Sequence, residues 1–131
     1  MHVSSITVRR LRCAAALAVV VVGGIVSRSA PLGWPLYDKS LGDVLYAVAA
    51  YLGLALLLPR VPLGFIAAGG AAACFAVEFM KLSDFNARLL TVPVLRWFLG
   101  TTFSWHNIVC YLLGIAVGCG ADAFFLRRVR R

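Results

Sequence analysis

Four stretches of this chain, 11–29, 41–58, 62–80 and 103–126, carry at most two charged side chains each and account for most of its 131 residues. A hydrocarbon core is crossed by about 20 mainly apolar residues in a helix, so each stretch is a candidate span. Without water to satisfy them, backbone N–H and C=O groups inside lipid must bond within the segment, and continuous apolar runs do this as α-helices. Composition points the same way. Apolar residues make up 62% of the chain and charged residues 14%, against roughly half and a quarter in soluble domains. The sequence therefore predicts an all-α fold, a four-helix transmembrane bundle forming a single multi-pass membrane domain over 1–131.

A net charge of +8 raises the question of nucleic acid, but the placement of the charge answers it. Arg9, Arg10 and Arg12 stand at the N-terminal edge of the first run, Arg60 lies between the second and third, and Arg127, Arg128, Arg130 and Arg131 follow the fourth. With four helices these share one side of the membrane and hold eight of the 13 basic residues, while Arg28, Lys39, Lys81, Arg88 and Arg96 lie on the other. The positive-inside rule then puts both termini in the cytoplasm of a bacterial inner (plasma) membrane. The arginines read as anchors to anionic membrane lipid, with no nucleic-acid partner.

The connections have distinct characters. The basic start, short apolar run and small residues near Ser27 and Ser29 resemble a signal peptide. Gly23, Gly24 and Arg28 favour a retained helix instead. Pro31, Gly33, Pro35 and their neighbours make 27–40 an outer loop, with Trp34 and Tyr37 at headgroup level. Pro59 and Pro62 bracket a tight turn, which makes the second and third spans an antiparallel hairpin. The segment 81–102, interrupted by Pro93 and Arg96, is too short and polar to cross. It reads as an irregular interfacial segment between the third and fourth spans, with Trp97 and Phe98 in the headgroup zone.

Glu78 closes a long uncharged run, and an ionisable group at that depth is costly unless paired or hydrated. Topology brings Asp43, Glu78, Arg88, His106 and Asn107 to the same outer face, and these form the candidate polar site. Glu78 with Arg88 reads either as an ion pair tying the interfacial segment to the bundle or as part of a functional pocket. Asp43 reads equally as a helix cap. Along the fourth run Asn107, Tyr111, Gly114, Gly118 and Asp122 recur at helical spacing and share a face. Gly114 and Gly118 form G-x-x-x-G, which serves packing within the chain or dimerisation. Asp122 is expected to pair with Arg127 or a neighbouring arginine. Cys13, Cys74, Cys110 and Cys119 lack metal spacing, His106 has no second ligand nearby, and no nucleophile elbow, zinc motif or phosphate loop is present. No metal and no cofactor are expected.

The pieces G-D-V-L-Y-A-V at 42–48, V-E-F-M-K-L at 77–82, Arg88, and F-S-W-H-N-I-V-C-Y-L-L-G at 103–114 resemble a bacterial inner-membrane family, domain of unknown function 2809. Some of its members carry the label ribosomal maturation YjgA family. That family is similar to VanZ-like membrane proteins, which also gather an acidic residue, an arginine and a polar helix start near one face. The resemblance implies a multi-pass membrane protein with no assigned activity, whose polar positions are occupied here by Asp43, Glu78 and Arg88. The chain departs at Met80 or Lys81, where the family more often has glutamine, and at His106 and Asn107, where an acidic residue commonly opens the last helix.

The functional expectation is a non-enzymatic envelope protein that binds a lipid headgroup or a cell-wall-related ligand, with Arg88 on anionic oxygen and Glu78 orienting it. One alternative is a small transporter or channel subunit acting as a homo-oligomer through the Gly114 and Gly118 face. Another is a VanZ-like membrane enzyme using Glu78 as base.

Overall fold

The computed structural model describes residues 4–129, apart from the side chains of Phe85, Asn86, Leu89 and Phe98. Arg130 and Arg131, counted above with the basic residues, and the headgroup placement of the Phe98 side chain lie outside the described residues. Helices α1 (Ser5–Ser29), α2 (Pro35–Leu57), α3 (Leu63–Met80), α4 (Asp84–Leu89), α5 (Pro93–Leu99) and α6 (Trp105–Val129) follow in order. Four of them, α1, α2, α3 and α6, are long and apolar enough to cross a membrane.

Three local features differ from the sequence expectation. α1 begins at Ser5, so Arg9, Arg10 and Arg12 are helical residues instead of a preceding tail. α2 begins at Pro35, several residues before its apolar run, because proline at a helix start needs no N–H partner and its fixed φ already suits the helix. The Asp38 carboxylate then accepts the backbone N–H groups of Leu32 and Gly33 at 3.0 and 3.2 Å, which shortens the outer loop to a turn. Finally, the segment expected to be irregular forms α4 and α5. Pro93 starts α5 for the same reason that Pro35 starts α2, and Gly100, at φ 75°, stops it.

α2 lies at the centre and packs against α1, α3 and α6, while α6 also packs against α3. Because α2 and α6 descend in the same direction, their residues pair in a parallel register. Ser40 meets His106, Val44 and Ala47 meet Gly114, and Tyr51 meets Gly118 and Asp122. A Cβ at Gly114 would collide with the Val44 carbonyl oxygen and come within 2.6 Å of the Ala47 Cβ; at Gly118 it would lie 3.0 Å from the Tyr51 ring. Small residues let two helices approach until their backbones touch, and here they admit α2. The face offered above for a homo-oligomer is therefore filled from within the chain. Outside this core Val19, Val22, Phe65, Leu113 and Val117 are exposed, the inverse of a water-soluble surface and suited to acyl chains.

Candidate functional site

The two ends of the bundle each bury a carboxylate. At the loop end Glu78, on the last turn of α3, is 0% exposed. Its Oε1 accepts the Ser104 backbone N–H at 2.8 Å and the Asn107 side-chain amide at 3.0 Å. Its Oε2 accepts Lys81 Nζ at 2.6 Å and the Tyr111 hydroxyl at 3.1 Å. Two donors on each oxygen leave little of the group unsolvated, which is what an ionised carboxylate in a dry site requires. The Lys81 ammonium is itself buried. Its Nζ would lie 3.4 Å from a Cβ at Gly100, a position whose positive φ already favours glycine.

Arg88 has a different place from the one its sequence position suggested. It is exposed on α4, and the cation on Glu78 is Lys81, three residues on and within reach on the same helix face. Asp43 is no helix cap, since α2 begins two turns earlier; it is 7% exposed inside the helix. Asn107, in the first turn of α6 at the same end of the bundle, is 4% exposed. Asp43 Oδ2 and Asn107 Oδ1 are both buried without a hydrogen-bond donor. One turn closer to the loop end, Ser40 Oγ donates to the Leu36 carbonyl at 2.5 Å and lies 2.8 Å from His106 Nε2. With its proton committed, Ser40 accepts from that ring nitrogen, and Cys110 Sγ lies 3.4 Å from the same atom.

The structure thus joins Glu78 to Asn107 directly, buries Asp43 one turn from the Ser40 that meets His106, and leaves Arg88 exposed on α4. Sequence reasoning missed the roles of Ser40 and Lys81. Each stands three residues from a carboxylate it neighbours on the helix, and that spacing was the available signal. No group of three or more His, Cys, Asp or Glu side chains able to hold a metal is present among the described residues.

Aromatic rings flank this end. Phe103 stacks on Phe79 with centroids 5.6 Å apart and meets Trp105 edge-on at 5.2 Å. Arg28, at the end of α1, donates to the Trp97 carbonyl oxygen, and its guanidinium lies 5.6 Å from the Trp97 ring centroid. The first helix is thereby fastened to α5.

At the arginine end the carboxylate is Asp122. The sequence reading pairs it with Arg127 or a neighbouring arginine, but Arg127 and Arg128 are exposed and the partner is Arg9 of α1. Arg9 Nη2 reaches Oδ2 at 2.7 Å, Nε reaches Oδ1 at 3.4 Å, and Nη1 donates to the Pro59 carbonyl at 2.5 Å. The Tyr51 hydroxyl donates to the same Oδ2 at 3.0 Å. Arg9 can do this because α1 starts early enough to carry it as a helical residue facing α6.

Comparison with known proteins separates the two ends. The family model described as Protein of unknown function (DUF2809) matches residues 33–115, a span that holds every member of the Glu78 network and neither Arg9 nor Asp122. No curated protein and no solved structure matches the chain. With well over half of its length inside that match, the chain belongs to the DUF2809 family of proteins of unknown function.

Proposed function

We propose that this protein is a non-enzymatic plasma-membrane protein, oriented with its arginine end in the cytoplasm, that binds a lipid headgroup at its loop end. One observation carries the reading: Asp43 Oδ2 and Asn107 Oδ1 are buried acceptors with no donor, at the end of the bundle where the other carboxylate is fully satisfied. Buried acceptors of this kind cost free energy unless a donor arrives, so they favour a ligand bearing N–H or O–H groups. Lys39, exposed one turn above Asp43, offers a cation for the phosphate of the same headgroup, and Arg88 and Arg96 are exposed on the neighbouring short helices. A phospholipid headgroup with a primary amine or free hydroxyl has both functions. The orientation is supported by the excess of basic residues at the arginine end.

The test is lipid retention. Purified protein, stripped in detergent and returned to a mixed bilayer, is expected to retain phosphatidylethanolamine or phosphatidylglycerol over phosphatidylcholine, which lacks N–H and O–H donors. Asp43→Leu is expected to abolish that preference while leaving the helical signal intact. Equal retention of all three lipids by the wild-type chain, or an unaltered preference in Asp43→Leu, overturns the proposal.

A further inference from the structure

We infer that the groove at the arginine end is a second lipid site, built for the phosphate of an anionic phospholipid in the leaflet that borders it. The groove is about 770 Å³, bounded by α1, the turn between α2 and α3, and α6. That volume falls within the usual range of small-molecule sites, roughly 300–1,000 Å³. This inference stands on observations separate from those at the loop end.

Charge is the first argument. Arg9, Arg12, Arg60 and Arg127 line the groove, and Asp122 is the sole carboxylate among its lining residues. Asp122 is already held by Arg9 and Tyr51, so it offers nothing to the remaining guanidiniums. Arg12, Arg60 and Arg127 are exposed, and Arg12 rests 5.6 Å from the centroid of the Phe125 ring. Guanidinium forks suit phosphate oxygens, and a low-polarity wall strengthens the attraction.

Depth is the second argument. The arginines lie where the spans leave the hydrocarbon, the level of lipid phosphates, while Ala16, one turn beyond Arg12 on α1, and Leu52, more than a turn before the end of α2, line the groove farther along. A phosphate on the arginines would therefore continue as an acyl chain over apolar side chains. A free anion would use only the first half of this surface. A second copy of the chain would bring the same basic patch against itself, which like-charge repulsion opposes.

The experiment uses the full chain in phosphatidylcholine nanodiscs containing a minor share of phosphatidylglycerol, with bound lipid read by native mass spectrometry. The wild-type chain is expected to carry phosphatidylglycerol at the groove. The variant R12Q/R60Q/R127Q is expected to lose about a hundredfold in apparent affinity, from roughly fivefold per arginine near an anionic surface. The control R10Q/R128Q removes exposed arginines that do not line the groove and is expected to change affinity little. Ala16→Phe fills the apolar part, and is expected to weaken lipid binding with every arginine in place. Should these variants fail to fold, displacement from the wild-type chain decides: short-chain phosphatidylglycerol is expected to compete and inorganic phosphate is not. Equal losses in the groove variant and the control would reduce the effect to general surface attraction and overturn the site. Displacement by inorganic phosphate as effective as by lipid would overturn it as well.

Discussion

The loop end and the arginine end face the same physical problem, a carboxylate inside a bundle meant for lipid, and meet it in opposite ways. Glu78 takes its donors from Lys81 just past α3, Ser104 just before α6, and Asn107 and Tyr111 in α6, and is sealed from solvent. Asp122 takes its donors from α1 and α2, with the Arg9 guanidinium also tied to the turn at Pro59, and borders an open groove. The first network fixes how one helix leads into the next. The second clasps helices remote in sequence and leaves a basic surface beside it. A closed site tolerates no lost partner, whereas at an open one water can enter and replace it.

The largest effect should therefore come at the loop end. Glu78→Ala strands the buried Lys81 ammonium and also leaves Asn107, Tyr111 and the Ser104 N–H without their acceptor. Removing one partner of a buried pair costs about 3–5 kcal/mol, enough to abolish a marginally stable fold. Loss of the monodisperse folded species in detergent, followed by size exclusion and thermal unfolding, is the expected readout. Glu78→Gln should fall between, since its carbonyl oxygen still serves Ser104 and Asn107 while its NH2 faces Lys81 and Tyr111. If Glu78→Ala unfolds at the wild-type temperature, the closed network contributes nothing to the fold.

At the arginine end the expected cost is smaller. Asp122→Asn keeps an acceptor for Tyr51 and Arg9 but loses the ion pair, about 1.5–3 kcal/mol for a hydrogen bond to a charged group. The pair R9M/D122L should recover most of that loss, because a well-packed apolar pair can replace a buried salt bridge. A double-mutant cycle on thermal unfolding gives the coupling directly. Coupling as strong as at Glu78 would erase the contrast between the ends.

How far each end was legible in the sequence follows the same contrast. The spans, the depth of Glu78 and the shared face from Asn107 to Asp122 are local patterns of hydropathy and spacing, and all five residues of that face are buried. The pair of Arg9 and Asp122 spans 113 residues and depends on where α1 starts, which hydropathy alone places too late. Arg88 was credited with pairing Glu78 because it was the nearest guanidinium after the span, when a lysine one turn away had the shorter path. Pro35 and Pro93 look like interruptions in a sequence, yet each begins a helix. Whether a proline stops a helix or starts one depends on the N–H groups around it, not on the residue alone. The partner of the Gly114 and Gly118 face was likewise hidden, because G-x-x-x-G states that something approaches closely and not what.

The smallest expected effect separates scaffold from site within the loop end itself. Ser40→Ala removes the acceptor of His106 and the donor to Leu36, a net loss of about 1 kcal/mol for a half-buried hydrogen bond. His106 can turn to water or retain Cys110 as its neighbour, so the ring is not stranded as Lys81 would be. The Glu78 network shares no atom with this pair, and thermal unfolding should barely move. Asp43, however, follows Ser40 by one turn on α2 and Asn107 follows His106 on α6, so loosening the Ser40 and His106 pair should alter headgroup retention more than stability. A retention change without a stability change would mark the Ser40 and His106 pair as part of the binding surface. A stability change alone would assign the pair to the scaffold, and the loop end would then be closed throughout.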